Sequence, residues 1–389
     1  CADHNERVLR AELGRVRRRI ADGRLRDYVE GQARHANWCT AVLRRLDDRY
    51  SFAEPRTPVV DDASMQAATE DGLRRVEIQR FADRVTTRYR NRFGDRPLVL
   101  VPCSATKPYG ESPSHAQFRE AIGYRGHLVS MTSPIGVVPQ ELELTYPAQH
   151  YDAVVTGRWS ANEREFVTEV LRRYLRRTDY PRVVAHVPDE GYRDVVADAT
   201  AGLDCPVEYT VADHPTTDES LANLRAALAG ESTYRKRERE HNTVRAIADY
   251  MLGPAAGDDL FESFRTTSRH PKLQVRAPPE HEDGGGDEGG AQWAAMVPNY
   301  GVLAFTLAGA RRWVESDAPT KRVDIDGFVP HGSVLAPGVV DATDAIRPGD
   351  EVVVEGPRAF AVGRAEMSGP EMRASTRGVA VDVRHVEEL

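Results

Sequence analysis

Cysteine is scarce in this 389-residue chain: Cys1, Cys39, Cys103 and Cys205 are the only four, widely spaced, with no CxxC pair. That spacing argues against a disulfide framework and for a reducing, cytoplasmic setting. Long apolar runs are missing too. No stretch approaches the roughly 18 consecutive apolar residues of a transmembrane helix, and no basic-then-apolar leader opens the chain. A start at Cys1 reads as a fragment or a processed end rather than a signal peptide. Lysine is rare. Lys107, Lys236, Lys272 and Lys321 are four of the 52 Lys and Arg, which leaves 48 arginines. GC-rich coding would give that bias. Abundant Asp and Glu with little Lys also suit a high-salt cytoplasm, where charges are screened at short range. The formal net charge of −8 therefore does not exclude nucleic acid, because arginine forks bind phosphate through local patches.

The length points to two to four domains, and 40% hydrophobic residues can supply their cores. Residues 1–60 read as helical, with Val8, Leu9, Leu13, Val16 and Ile20 at helical spacing and Gly23 as a stop. Further helices are expected from about 25 to 35 and 37 to 49, and another helical pattern over 65–93. Residues 80–215 change texture. Strand-like runs ("LVLVPC", "GHLVSMTS", "DAVVTG", "RVVAHVP", "VEYTVADH") alternate with helices, which predicts a mainly parallel α/β core domain. Residues 216–317 look α+β and contain a low-complexity acidic loop, "PPEHEDGGGDEGGAQ". Residues 319–389 are short alternating strands punctuated by glycine, the pattern of a compact β-barrel. The expected fold is thus α/β plus α+β plus all-β.

The stretch "LVLVPCSATKPYGESPSH" concentrates reactive side chains at one strand-to-helix crossover. In open α/β sheets ligands sit beyond the carboxyl ends of the strands, where Cys103 falls. A following helix N-terminus and Lys107 would both favour thiolate, the nucleophilic form of cysteine. Lys107 stands out because arginine fills nearly every other cationic position. His115 is a candidate proton carrier, and Ser112 or Ser114 a candidate helix cap. Ser104, Ser112 and Tyr109 add hydrogen bonds. Cys103 equally suits a small buried residue at a strand end, and His115 a helix-capping one. A second loop, "TSPIGVVPQELELTYP", offers Ser133, Glu141, Glu143 and Tyr146, while His186 and Asp213 end other strand-like runs. Either group could line the same crevice or serve the fold. "YRKRERE" carries four cations in seven residues and fits an RNA contact or a solvated helix face.

The run Pro102-Cys103, three residues, Lys107-Pro108-Tyr109, two residues, Ser112, two residues, His115 resembles the core motif of the archaeosine synthases, paralogues of the archaeal tRNA-guanine transglycosylase. Residues 319–387, with "GSVLAPGV" and "RPGDEV", resemble a PUA domain, an RNA-binding barrel. Residues 216–317 are similar to the module that precedes it in these enzymes. Residues 4–50 resemble the tail of the transglycosylase-like domain, whose upstream barrel this chain lacks. The resemblance implies amine addition to the nitrile of preQ0 at position 15 of tRNA. It further implies lysine as donor, a radical-SAM partner that completes the formamidine, and a transglycosylase that acts beforehand. No ATP, metal or other cofactor is expected. The equivalent of His4 belongs to a zinc site in transglycosylases, but here zinc would need ligands from an upstream segment.

On this reading Cys103 attacks the nitrile, Lys107 holds the donor carboxylate or stabilises the thiolate, and His115 passes protons. Ser112 and Tyr109 position groups, and Ser104, Ser133 and Glu141 bind substrate. Direct amine attack, with the motif only positioning it, stays open. Gly332, Ser333, Pro337 and Gly338 are expected beside the RNA backbone, where small residues permit close approach. Arg347 and Arg377 are candidate phosphate partners, or ordinary surface charge. The alternatives are a non-catalytic tRNA-binding subunit of a split system and the guanine-exchange enzyme itself. The latter needs carboxylates from the absent barrel.

Overall fold

The computed structural model describes residues 1–153, 158–189, 191–278 and 290–389. The strand expected in "DAVVTG" falls mostly, and the acidic loop almost wholly, outside these residues. The chain opens with α1 (Ala2–Ala21), α2 (Leu25–Ala33) and α3 (Asn37–Asp47). Gly23, at φ +67°, ends α1 in the left-handed conformation that glycine adopts without a Cβ penalty. α1 buries no residue, and its Leu9 and Leu13 are 65% and 58% exposed. Buried Arg75 ties α2 to the body through Asp27, and Arg26 of α2 bridges Asp47 of α3 at 2.5 Å. Within 65–93 only α4 (Val76–Thr87) is helical. The segment before it forms a two-residue strand, Met65–Gln66, and a 3-10 turn over Glu70–Arg74. Strand pairing with Tyr151–Asp152 overrides the local helical pattern there.

The core domain is a five-stranded sheet of β1 (Leu98–Pro102), β2 (His127–Thr132), β3 (Gly136–Pro139), β4 (Val183–Ala185) and β5 (Val207–Tyr209), in the order β3-β2-β1-β4-β5. β1 is parallel to both neighbours, and β3 is an antiparallel edge. β3 forms inside the stretch expected to be a loop; Val137 and Val138 are buried there. Four helices cover the sheet: α5 (Pro113–Ile122), α6 (Ala161–Arg177), α7 (Tyr192–Thr200) and α8 (Asp218–Ala227). β1 reads as an unbroken apolar run because both of its faces are covered. Val99 and Val101 pack with Phe118 of α5 and Leu221 and Leu224 of α8. Leu98 and Leu100 join the main core with Phe81 of α4, Val167 and Leu171 of α6, and Val195 of α7. α6 starts at a capping box, in which Ser160 and Glu163 satisfy each other's backbone N–H groups.

Next come α9 (Lys236–Leu252) and an antiparallel sheet, β6 (Arg265–Thr267), β7 (Gln274–Arg276), β8 (Gln292–Val297) and β9 (Val302–Phe305), followed by α10 (Leu307–Glu315). Trp313 of α10 is fully buried and stacks on Phe305, centroids 5.1 Å apart. The last unit is a curled six-stranded sheet of β10 (Arg322–Ile325), β11 (Ser333–Leu335), β12 (Val339–Ala342), β13 (Glu351–Gly356), β14 (Ala359–Ala365) and β15 (Val379–Glu388). Its alternation has a purpose on each face. Val352 and Val354 fill the barrel's own core, whereas Val353, Phe360 and Val362 join the main core. Buried Lys321 donates to Asp350 at 2.5 Å and to the Met251 carbonyl of α9 at 2.9 Å, which fixes the barrel to the module. Among the described residues no helix is long and apolar enough to cross a membrane.

Candidate active site

Register decides which side chains can meet at the end of the sheet. Leu98 pairs with His127 and Pro102 with Met131, so Cys103 and Ser133 leave their strands at the same, carboxyl end. The Cys103 N–H continues the ladder, donating to the Met131 carbonyl at 3.0 Å. Cys103 is free and half-buried. Its Sγ lies 3.6 Å from the Tyr192 hydroxyl. Tyr192 opens α7, directly after left-handed Gly191. Thiol and phenol therefore come from the segments following β1 and β4, the neighbours between which the connections reverse direction. Such a switch point is where this architecture opens a crevice. Trp159 packs on the Tyr192 ring, centroids 4.3 Å apart.

Lys107 returns to the same place. Its Nζ sits 4.1 Å from the centroid of the Tyr151 ring, a cation–π contact. Burial lowers its pKa, while the charges of Cys103 and Asp152 pull it back up. Beneath them the Tyr109 and Tyr151 hydroxyls share a 2.5 Å hydrogen bond, and Tyr151 bonds Thr132 Oγ1 at 2.7 Å. Burial pushes both phenols above their ordinary range, which keeps them protonated. The site is a half-open sulfur beside an ammonium, with hydroxyl donors below and to one side. That arrangement suits nucleophilic attack on an electrophilic carbon.

Other expected residues take different positions. His115 is buried, its ring stacked 4.9 Å from that of Tyr109 and its Nε2–H donating to the Pro102 carbonyl at 3.1 Å. Burial lowers its pKa to about 4, with the Pro102 carbonyl opposing the shift and Arg119 adding to it. A ring held neutral, with Nε2 committed to the backbone, supports the loop. Ser112 occupies the N-cap of α5 but makes no side-chain cap. Its hydroxyl bonds Ser104 at 2.8 Å and Ser114 at 2.9 Å, so the three serines knit the loop together. Ser133 donates to Glu163 at 2.6 Å and anchors the start of α6 beside the crevice.

Glu141 lies at the opposite end of the sheet. It accepts from His127 Nε2 at 2.9 Å and from Tyr89 at 3.1 Å, and His127 Nδ1 accepts from Tyr180 at 2.6 Å. His127 begins β2, four residues before Met131, or roughly 13 Å along a strand. Glu141 is therefore not in the Cys103 crevice. His186 is buried between Thr210 Oγ1 at 2.8 Å and the Pro215 carbonyl at 2.7 Å, and exposed Asp213 accepts from Thr217 at the start of α8. Both serve the fold.

In the barrel, Gly332 is exposed at φ +83° just before Ser333 opens β11. Pro337 and Gly338 form a 3-10 turn, and a Cβ at Gly338 would come within 2.8 Å of the Phe328 ring. Leu335 and Val340 stand 54% and 66% exposed beside that turn. Arg377 is exposed, with no hydrogen bond or ion pair among the described residues. Arg347, by contrast, donates to Glu54 at 2.7 Å and to the Asp344 carbonyl at 2.7 Å. It locks the barrel to the N-terminal linker and is not free for phosphate. His4 and Cys1 sit at the exposed start of α1. Among the described residues no three His, Cys, Asp or Glu side chains are placed to hold a metal.

Sequence reading missed Tyr192 and Trp159. Neither belongs to a spaced motif. The one available signal was that Gly191-Tyr192 opens the helix after a strand-like run.

Comparison with known proteins divides the chain in three. Residues 78–228 match a domain of unknown function, DUF5591. Residues 242–319 match the patch-forming domain C2 of tRNA-guanine transglycosylase, and 327–386 a PUA domain. Archaeosine synthase of Haloferax volcanii is 65% identical over 100% of this chain and 65% of its own length. Archaeosine synthase subunit alpha of Methanosarcina acetivorans is 43% identical over 99% of this chain and 62% of its own. The chain thus spans somewhat less than two thirds of these relatives. A crystal structure of AF0587, described as a protein of unknown function, superposes with a TM-score of 0.63 at 28% identity, over 79% of this chain and 99% of that one.

Proposed function

Because this chain is homologous to archaeosine synthases along its whole length, we propose that it adds an amine to the nitrile of preQ0 at position 15 of tRNA, with Cys103 as the nucleophile. The observation that carries this reading is the half-buried Cys103 at the carboxyl end of β1, its sulfur 3.6 Å from the Tyr192 hydroxyl, with Lys107 of the same loop seated over the Tyr151 ring. The nitrile carbon is electrophilic but sluggish. Sulfur adds to it, and the nitrile nitrogen takes a proton to give a thioimidate. The amine then adds to the same carbon, the C–S bond breaks, and an amidine leaves with the thiol restored. One hard step becomes two easier ones.

Burial and the charge of Cys103 hold the Tyr192 hydroxyl protonated, so it donates a hydrogen bond to the sulfur anion. Lys107 stabilises the sulfur anion or holds the carboxylate of the amine donor, for which lysine is the expected compound. Tyr109 and Tyr151 form the floor, and Ser104, Ser112 and Ser133 fix the loops around it. The barrel supplies the RNA contact through the Gly332–Gly338 edge and Arg377. The reaction is cytoplasmic, preceded by a transglycosylase and completed by a radical-SAM partner. Incubating the chain with preQ0-containing tRNA and lysine, then weighing the nucleosides, tests the reading. Gain of one lysine mass on the modified base supports it. Tight tRNA binding with no mass gain leaves a tRNA-binding subunit instead.

A further inference from the structure

A cavity of about 260 Å³ opens on the far flank of the motif loop, at the seam between the core domain and the module that follows. Its walls bring Arg119 of α5 and Arg239 of α9 together with Glu111, Glu143 and His270. A neighbouring depression shares Arg119 and Arg239. Arg119 spends one N–H on the Gly110 carbonyl, at 2.7 Å. Arg239 lies 5.7 Å from the Tyr124 ring centroid, and neither guanidinium has a carboxylate in salt-bridge range among the described residues. Of the arginines near this seam, Arg92 is paired with Asp249 and Asp258, Arg96 with Glu238 and Arg182 with Glu231, whereas Arg125, Arg235 and Arg237 have no ion pair among the described residues. What sets Arg119 and Arg239 apart is that both line the same cavity and its neighbouring depression.

The two acids on the walls do not cancel them. Glu111 is exposed. Burial pushes Glu143 up to about 7, against the pull of Arg119, Arg239 and the Gly110 N–H and with a smaller push from Glu141. His270 is held neutral near neutral pH, because burial, Arg239 and Lys236 drive its pKa down to about 4. A doubly charged oxyanion would neutralise both guanidiniums through the fork geometry arginine offers.

We propose that this cavity is an oxyanion-binding site, in which Arg119 and Arg239 clamp a phosphate-like group. The site is separate from the Cys103 crevice and does not depend on the reaction proposed there. Glu143 makes the clamp sensitive to pH. Protonated, it leaves the guanidiniums free; ionised, it competes with the ligand. Binding is therefore tighter below neutral pH and is accompanied by proton uptake.

The test is titration of the full chain with inorganic sulfate, whose charge is constant between pH 6 and pH 8, at fixed ionic strength. Saturable binding is expected, several-fold tighter at pH 6, and about tenfold weaker in Arg119→Gln or Arg239→Gln. Glu143→Gln keeps the volume of the side chain and should bind sulfate equally at both pH values. Absence of saturable binding overturns the proposal, as does equal affinity in the native chain and both arginine variants. Adding unmodified tRNA separates the two sources of the oxyanion. Competition with sulfate supports an RNA backbone phosphate at the site, and independent binding supports a free small molecule.

Discussion

The two ends of the central sheet carry similar residue types and put them to opposite uses. At the amino end, His127, Glu141, Tyr89, Tyr180 and Tyr174 form a chain of hydrogen bonds in which every ring or carboxylate is buried. At the carboxyl end, Tyr192, backed by Trp159, touches the half-buried Cys103 sulfur, and Lys107 sits over Tyr151, which is hydrogen-bonded to Tyr109 and Thr132. Both ends contain tyrosines in hydrogen-bonded pairs. What separates them is access. A sealed network whose partners all satisfy one another can only hold the fold. A thiol with room beside it and an ammonium within electrostatic reach can react. Polar residues in a crevice-forming architecture thus divide by the end of the strand they occupy, more than by chemical type.

Four perturbations should sharpen that contrast. The largest effect is expected from Cys103→Ser, which should abolish nitrile consumption while leaving tRNA affinity and chemical denaturation unchanged. At the other end, Glu141→Leu strands the donors of His127 and Tyr89. It should cost about 2–6 kcal/mol in denaturant-induced unfolding, the penalty for two buried donors left unsatisfied, with no separate effect on Cys103 reactivity in the folded fraction. His115 belongs to the support beneath the carboxyl end. Its folded pKa of about 4 lies below the ordinary 6.5, so between these values the unfolded chain binds more protons. Stability should therefore fall as pH drops from about 6.5 to about 4, by about 3 kcal/mol at most, and His115→Gln should remove that component from the pH–stability profile. A smaller effect is expected at Tyr192: Tyr192→Phe should slow alkylation of Cys103 about tenfold, the size of one lost hydrogen bond, with unfolding free energy nearly unchanged.

The barrel repeats the contrast on a smaller scale. Arg347 is tied to Glu54 and Arg377 is exposed. Arg377→Ala should weaken tRNA binding a few-fold and reduce the slope of log affinity against log salt by about 1. Arg347→Ala should leave that slope intact and lower stability by about 1–3 kcal/mol.

Much of the fold was legible in the sequence because strand and helix periodicities differ and β1 is covered on both faces. "LVLVPC" reads as a buried strand leading into a loop, and β1 is that strand, with Cys103 just past its carboxyl end. His115 was misread because helical spacing places a residue without saying what it packs against. Its ring turns under the loop and stacks on Tyr109. Glu141 and His127 are 14 positions apart, and only the return of the chain along β3 makes them partners. Tyr192 reaches Cys103 across 89 positions, through the adjacency of β1 and β4. Arg347 reaches Glu54 across 293. No local pattern records such contacts. The helical pattern over 65–93 failed differently, with pairing of Met65–Gln66 to Tyr151–Asp152 prevailing over local propensity.

The most direct measurement is mass analysis of the peptide containing Cys103, after the chain has been held with preQ0-containing tRNA in the absence of any amine and then treated with ribonuclease and protease. The account predicts that this peptide gains the mass of the modified nucleotide through sulfur, and that the adduct disappears when amine is added. Amidine formation on tRNA with an unmodified Cys103 peptide at every time point would contradict it.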